Sequence, residues 1–266
     1  MAVLLGAGVC HLMPMLGGAG RRVAAVMCRA PALDLVIGYF TVLPWVVGAI
    51  VCGWVGLVGG IVGQVVGMLL WQVIHEWVHR DAVRGERIVK TLNRKVGAWR
   101  NHSALWLMTL AVPGFSLIRI VQWIVYPGLV WLVRLPPYKQ GEWVNVSRQK
   151  FSGLVGHDLI WCLYCDWMTG LWALGSEMLR NLESFWCPIR FYSDKKCDNC
   201  AMDFPDVNNG WVAASGTMGE VTGLLDRMYP DSSQGEHRWN PWYGHPVRVT
   251  VRGEEVEPQM NADAGG

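Results

Sequence analysis

The most informative absence in this 266-residue chain is that of charge: the forty residues from Leu35 to Ile74 contain no Asp, Glu, Lys or Arg. Charged residues make up only 17% of the chain, whereas 52% of its residues are hydrophobic. An uncharged run of this length is typical of membrane-spanning segments and excludes an ordinary surface helix, which needs a polar face. Because such a helix would measure about 60 Å, roughly twice the hydrocarbon thickness, the run predicts a hairpin of two helices.

Several classes of function also lack their sequence signatures. The chain shows no phosphate-binding glycine loop, nucleotide fingerprint or Ser-His-Asp arrangement. Its net charge is only +2 and the part from Phe151 onward is predominantly acidic, so no nucleic-acid groove is expected. The first 33 residues contain neither acid nor serine, and their arginines follow the apolar stretch. This order argues against a secretory signal, and the absence of serine argues against the alternative of an organelle transit peptide. Residues 1–34 are predicted to form a weakly ordered or interfacial arm.

Glycine and tryptophan are abundant where charge is missing. Gly59, Gly63 and Gly67 recur every four residues, and Gly56 and Gly60 form an overlapping pair. This spacing predicts a face of bare backbone against which another helix packs closely in lipid, with a flexible glycine-rich bend as the alternative. The chain has 16 tryptophans, many of them beside apolar runs, as expected for side chains at the headgroup level of a membrane.

Basic residues predict which side of the membrane each segment faces. Residues 75–103 carry seven Lys or Arg against three acidic residues, which is typical of a cytoplasmic loop. Residues 104–133 are apolar apart from Arg119, and are long for one span but short for two. We expect a second, kinked hairpin here and therefore about four transmembrane segments, with both termini on the cytoplasmic side of an inner, plasma or organelle membrane. A single tilted span would instead place the tail outside, and Arg119 either lines a functional cavity or lies at headgroup level.

The rest of the chain is less apolar. Residues 160–186 place apolar side chains at helical spacing and polar ones such as Glu177 elsewhere, which predicts an amphipathic helix on the membrane or in the core of a tail domain. Thr217 and Glu220 form a capping-box start for a short helix, and residues 247–251 alternate valine with polar residues, as in a strand.

The expected fold is therefore mainly α: a polytopic membrane protein with a small α+β, cysteine-containing C-terminal domain. Changes in composition set the predicted boundaries. These are an arm over 1–34, a transmembrane region over 35–134 (hairpins 35–74 and 104–133 around the basic loop 75–103), a juxtamembrane and amphipathic segment over 135–192, a soluble metal-binding domain over 193–258 and a disordered tail over 259–266.

The uncharged run ends in the motif His75-Glu76-Trp77-Val78-His79. Helical residues four apart share a face, so both imidazoles can bind one zinc ion while Glu76 polarises its water. The pattern resembles membrane-embedded zinc peptidases, in which it ends or follows a transmembrane helix. This resemblance covers the motif and the coarse order of hairpins and tail, and implies a catalytic Glu76 with His75 and His79 as metal ligands. The distant acidic ligand of those families is not recognisable, and the alternative is an interfacial girdle where a helix leaves the lipid.

A second metal-binding pattern lies in the tail, where five of the eight cysteines fall within 39 residues. Two CxxC pairs can supply four thiolates to one tetrahedral ion, and in a reducing cytoplasm such pairs are more often metal sites than disulfides. The ligands ranked first are Cys162, Cys165, Cys197 and Cys200, with Cys187 and His157 as substitutes. The expected ion is zinc, with an iron–sulfur cluster or unliganded thiols as alternatives.

These patterns predict a non-catalytic accessory or scaffold subunit of a membrane complex or homo-oligomer, with the lipid bilayer as its surroundings. Two enzymatic hypotheses compete with it. One is the zinc peptidase, and the other is a membrane thiol-disulfide oxidoreductase that uses Cys162 and Cys165. A reactive thiol needs a nearby cation or a helix N-terminus, whereas Asp158 and Asp166 flank this pair.

Overall fold

The computed structural model describes residues 2–83, 85–133, 138–151, 153–193, 195–196, 198 and 210–228. Within these residues the protein is mostly helical and has no β-strand, so the α+β character predicted for the C-terminal domain is not shown. The predicted strand at 247–251 lies outside the described residues. The α-helices whose bounds fall within the described residues are, in chain order, α1 (Ala2–Leu12), α2 (Gly17–Met27), α3 (Ala32–Phe40), α4 (Val42–Val78), α5 (Ile88–Val96), α6 (Ala98–Thr109), α7 (Ala111–Val133), α8 (Gln140–Trp143), α9 (Gly156–Trp186) and α10 (Met218–Met228).

Helix α4 reverses direction inside the uncharged run. Cys52 and Gly53 leave the helical conformation, and Gly53 has a φ of 57°, which glycine adopts without steric cost. Two arms, 42–51 and 54–78, run antiparallel on either side of this turn. Their backbones touch, since a Cβ placed on Gly56 or Gly60 would lie closer than 3.0 Å to a carbonyl oxygen of the opposite arm. Bare backbone therefore allows the two arms to pack without side chains between them.

A glutamine joins the two arms within this apolar hairpin. The side-chain oxygen of Gln64 accepts a hydrogen bond from the indole N–H of Trp45 at 2.6 Å. Its amide nitrogen donates to the carbonyl oxygen of Phe40 at 2.7 Å. Gln64 is 7% exposed, so both polar ends of a buried side chain are satisfied.

The five glycines highlighted by their spacing do not share one role. Gly56 and Gly60 lie between the arms, whereas Gly59 and Gly63 have nothing within 4 Å of the position that a Cβ would occupy. Gly67 instead faces α1, where its Cβ would lie 3.2 Å from the Cβ of Val3. Gly56 and Gly60 thus form the contact between the two arms, whereas Gly67 contacts α1.

Two stretches are long and apolar enough to cross a membrane: Val42–Val78 and Ala98–Leu132. The second contains α6 and α7, which Leu110 joins with right-handed helical angles (φ −64°, ψ −18°), so the chain does not reverse there. Pro127 lies inside α7. Four separate spans are not shown, and the described residues support the coarser conclusion of two candidate membrane-crossing stretches.

The chain divides into two compact units. Unit 1 comprises Met1–Arg119 and Gln140–Trp172, and unit 2 comprises Ile120–Lys139 and Ala173–Gly266. Side chains buried within unit 1 include Leu33, Val144, Trp167 and Leu171. Side chains buried within unit 2 include Leu174, Met178, Trp211, Val221 and Leu224.

Two predictions about the tail helices have different outcomes. The capping box of α10 is confirmed, because the backbone N–H of Thr217 donates to the Glu220 carboxylate at 2.6 Å and the Glu220 N–H approaches the Thr217 hydroxyl at 3.4 Å. In α9, the expectation that Glu177 lies away from the buried face is wrong, since it is only 5% exposed. Asn181, one turn later, donates to the Glu177 carboxylate at 3.2 Å. Polar residues that satisfy each other can occupy a buried face that apolar spacing alone does not predict.

Candidate functional site

The His75–His79 motif forms the C-terminal end of α4, with His79 as the C-cap. As expected for residues four apart, the two imidazole rings lie side by side, with centroids 4.4 Å apart. Trp71, one turn earlier, packs against His75 with ring centroids 4.7 Å apart. The local geometry that the motif predicts is therefore present.

A third imidazole, from His11 at the end of α1, completes a cluster with these two histidines. Its ring centroid lies 4.9 Å from that of His79 and 5.9 Å from that of His75. One ligand nitrogen from each ring falls within 4.8 Å of the other two. Helix α1 reaches this point because it runs parallel to the second arm of α4, with Val3 against Gly67. Among the described residues, this trio is the one group of three or more potential metal ligands.

Glu76 is not part of this cluster, because its carboxylate is engaged by Arg87. Both terminal nitrogens of the Arg87 guanidinium donate to Glu76, one of them to Oε2 at 2.6 Å. The side chains are only 18% and 28% exposed, and paired hydrogen bonds of this kind are among the strongest between side chains. The carboxylate that the peptidase hypothesis requires as a base on metal-bound water is thus held as a hydrogen-bond acceptor.

The first half of the motif also caps the N-terminus of α9. The backbone N–H of Gly156 donates to Nδ1 of His75 at 3.1 Å. The next backbone N–H, from His157, donates to Oε1 of Glu76 at 3.0 Å. The first amides of a helix have no partner within it, and a carboxylate there also interacts favourably with the helix dipole. His75 and Glu76 therefore act as an N-cap supplied by another helix.

Glycine at position 156 makes this close approach possible. A Cβ there would lie 2.6 Å from the carbonyl oxygen of Gln72 and would also clash with the side chain of Glu76. The residue has a φ of 49°, in the left-handed region that favours glycine. The start of α9 consequently rests directly on the last turns of α4.

Arg87 links this junction to α5 and to a second carboxylate. Its Nε lies 3.6 Å from Oδ2 of Asp158, while Oδ1 of Asp158 accepts the backbone N–H of Val89 at 3.2 Å. Burial alone would raise the pKa of the Asp158 carboxyl. The hydrogen bond from His157 and the charge of Arg87 outweigh burial, and the pKa lies below its ordinary value. The hydrogen bonds that Arg87 donates to Glu76 stabilise its charged form and raise the pKa of its guanidinium.

The predicted cysteine site can be followed only in part. Cys162 is half-buried, Cys165 and Cys187 are exposed, and all three thiols are free. Cys197 and Cys200 lie outside the described residues, so the four-cysteine site stays a prediction.

The substitute ligand His157 already has partners in α9. Its Nε2 accepts the indole N–H of Trp161 at 3.2 Å. Its Nδ1 lies 3.5 Å from the carboxylate of Asp158. Ligation through either nitrogen would therefore replace an existing contact.

The environment of Cys162 does not favour redox chemistry. Burial raises the pKa of its thiol, and the nearby charge of Arg148 offsets only part of this effect. Cys162 also lies beyond the first turn of α9, where the helix dipole stabilises a thiolate only weakly. Activated cysteines have the opposite property, a lowered pKa.

Arg119, the charge within the second apolar stretch, is paired rather than isolated. It is 2% exposed, and its guanidinium donates to Oδ2 of Asp34 at 2.8 and 3.0 Å. Gln140 accepts a further hydrogen bond from Arg119 at 2.7 Å, and the indole of Trp167 donates to Oδ1 of Asp34 at 3.2 Å. The pair forms a buried polar centre of unit 1 in which the charges neutralise each other.

The sequence offered little to identify three of these residues. His11 belongs to no motif, and the apolar helix around it gives no sign of which residue it approaches. Asp34 borders the uncharged run, and Arg87 lies in the basic loop directly after the motif, so their positions were a weak indication of pairing. No protein-family model, curated protein or solved structure matches the chain.

Proposed function

We propose that this chain is an integral membrane protein that acts as a non-catalytic accessory or scaffold subunit of a membrane complex or homo-oligomer. One observation carries the membrane assignment. Many apolar side chains of α4 are exposed, among them Ile50 (78%), Trp54 (76%) and Val55 (78%), while polar residues such as Gln64 are buried. An apolar surface around a polar-paired interior is the arrangement expected in lipid and is unfavourable in water.

The pairing of the charged groups supports a structural rather than a catalytic role. Glu76 is engaged by Arg87, and Asp34 by Arg119, in hydrogen-bonded contacts. Catalytic acids and bases need an atom free to exchange a proton with substrate or water. Charges used in this way hold helices together, as a scaffold requires.

The finer topology is part of the proposal. A hairpin over the uncharged run 35–74, with the loop 75–103 on the cytoplasmic side, agrees with the seven Lys or Arg of that loop. A zinc or iron–sulfur site formed by the tail cysteines is consistent with the exposure of Cys165 and with the free thiols. Thiols that bind a metal are expected to resist alkylation until a chelator is added. Alkylation at the same rate with and without chelator would contradict the cysteine site.

Membrane extraction tests the first part of the proposal. Membranes that contain the full chain are washed with alkaline carbonate and then with a mild detergent. The protein is expected to stay in the carbonate pellet and to enter solution only with detergent, because its apolar helices need lipid or detergent around them. Release by carbonate alone would refute integration.

The subunit role is tested on the detergent extract. The chain is expected to elute as a particle that contains a second protein or further copies of itself, which mass measurement and cross-linking identify. A single chain in its micelle, from gentle extraction of native membranes, would contradict the scaffold proposal.

The zinc peptidase is the second candidate, and His11 is the observation in its favour, since it supplies a third nitrogen beside His75 and His79. Two matched variants separate the candidates, because Glu76→Gln removes the base whereas Arg87→Gln breaks the same ion pair and leaves the base in place. A peptidase predicts loss of activity in Glu76→Gln with activity retained in Arg87→Gln. A scaffold predicts that both variants weaken assembly and stability, and that Arg87→Gln does so more because it also loses the contact with Asp158.

A further inference from the structure

We propose that His11, His75 and His79 bind one divalent transition-metal ion of the zinc class, and that this ion competes with the N-terminus of α9 for His75. The three rings come from two helices, with His11 exposed and the other two half-buried. The cluster is therefore open to an ion from solution. The inference does not depend on the scaffold role, and it is tested on the purified chain.

The distances are compatible with a metal site after a small adjustment. In a tetrahedral site with Zn–N bonds of about 2.05 Å, ligand nitrogens lie roughly 3.3 Å apart. The three nitrogens here lie within 4.8 Å of one another, so they must close by roughly 1.5 Å at most. His11 is exposed, and rotation of its side chain supplies most of this movement.

The ligand chemistry selects the class of ion. All three donors are imidazole nitrogens, which suit Zn²⁺, Cu²⁺, Ni²⁺ and Co²⁺. Calcium and magnesium require oxygen ligands, and the nearest motif carboxylate, Glu76, is hydrogen-bonded to Arg87. Three protein ligands leave a fourth tetrahedral position for water or an external group.

The competition follows from the hydrogen bond between Gly156 and His75. Because the Gly156 N–H donates to Nδ1 of His75, Nδ1 carries a lone pair and no proton. A metal ion on Nδ1 would occupy that lone pair. A metal ion on Nε2 would shift the proton of the neutral ring to Nδ1. Nδ1 would then be a hydrogen-bond donor and could no longer accept the Gly156 N–H. Whichever nitrogen of His75 binds the ion, the bond from Gly156 is lost.

Metal binding would consequently remove one of two caps from α9 and leave the other. The His157 N–H still has the Glu76 carboxylate, which Arg87 holds in place. The helix is therefore expected to stay formed while its first amide becomes free. Occupancy of a site between α1 and α4 is in this way transmitted to the start of α9.

Cobalt binding tests the site. The probe is Co²⁺ alone, titrated into the detergent-solubilised full chain in which Cys162, Cys165, Cys197 and Cys200 are replaced by serine to remove thiolate ligands. One ion per chain is expected, with visible ligand-field absorption and no thiolate charge-transfer band. Either His11→Gln or His79→Gln is expected to weaken binding by at least about tenfold, since even loss of an outer-sphere partner costs that much.

A matched histidine provides the control. His102 lies in α6 and contacts His157, outside the cluster, so His102→Gln is expected to bind Co²⁺ as the parent does. Equal binding by the parent and His11→Gln, or no binding by the parent, would overturn the site. Because His11 is exposed, His11→Gln is expected to retain the elution volume and melting temperature of the parent.

Amide hydrogen exchange with Zn²⁺ tests the competition at single-residue resolution. Saturating Zn²⁺ is expected to speed exchange at Gly156 by roughly 2- to 12-fold, the range that corresponds to one lost hydrogen bond, and to leave His157 unchanged. Neither amide should respond in His11→Gln. Unchanged exchange at Gly156 in a chain that binds Zn²⁺ through the three histidines would refute the competition.

Discussion

Substitution of Gly60 by alanine tests whether the two arms of α4 are held backbone to backbone. A Cβ on Gly60 would lie closer than 3.0 Å to the carbonyl oxygen of Pro44, whereas one on Gly59 meets nothing within 4 Å. Ordinary C···O contacts measure about 3.3–3.6 Å, so the two arms must move apart by roughly 1 Å at this point. The expected cost of such overpacking is about 1–3 kcal/mol.

The neighbouring glycine makes the measurement specific. Replacement of a helical glycine by alanine contributes roughly 1 kcal/mol of helix propensity, and this gain is common to Gly59→Ala and Gly60→Ala. The difference between the two variants therefore isolates the steric contact. Gly60→Ala is expected to have a free energy of unfolding about 1–3 kcal/mol below that of Gly59→Ala.

The assay is reversible unfolding of the purified chain in mixed micelles by a denaturing detergent, followed by far-UV circular dichroism. Gly56→Ala adds a second variant with a clash, and Gly63→Ala a second without one. If all four variants unfold with the same free energy, the arms are not in backbone contact and the glycine argument fails.

Three further predictions concern buried polar groups. Gln64→Leu removes the hydrogen bonds to Trp45 and Phe40 and is expected to lower the free energy of unfolding by about 1 kcal/mol. An unchanged value would show that these bonds do not form. Asp34→Asn weakens the buried ion pair with Arg119 and is expected to lower the free energy of unfolding by as much as about 3 kcal/mol. The control Asp81→Asn alters the ion pair with Arg80, in which the Asp81 side chain is 95% exposed, and should change the free energy of unfolding by no more than about 0.5 kcal/mol. Asp158 has a lowered pKa in the folded protein, so its contribution is present above its unfolded pKa of about 3.9 and is lost as pH falls through the folded value. The melting temperature should therefore drop below about pH 4 more steeply in the parent than in Asp158→Asn, and parallel curves would refute the assignment.

Local patterns predicted local structure well. The helical placement of His75 and His79, and the capping box of Thr217 and Glu220, each depend on residues three or four apart, and both are observed. The uncharged run predicted an apolar helical segment, and the spacing of Gly56 and Gly60 predicted their close contact, whereas Gly59 and Gly63 do not pack against another described helix. In these cases the physical cause lies within one or two helical turns.

Partners distant in sequence could not be predicted in the same way. Arg119 and Asp34 are 85 residues apart, and no periodicity connects them. Glu76 matched a catalytic motif, yet its role depends on Arg87, which the motif does not include. The predicted four membrane spans are not shown for a related reason: hydropathy measures the length of an apolar segment and does not indicate whether the segment turns.

The cap that α4 provides for α9 has a consequence for the order in which the protein is made. Its acceptors, His75 and Glu76, leave the ribosome 81 residues before the amides that they receive. Helix α9 therefore emerges into a junction whose receiving side has already been synthesised, and a nascent chain that stops short of Gly156 presents that side without its occupant.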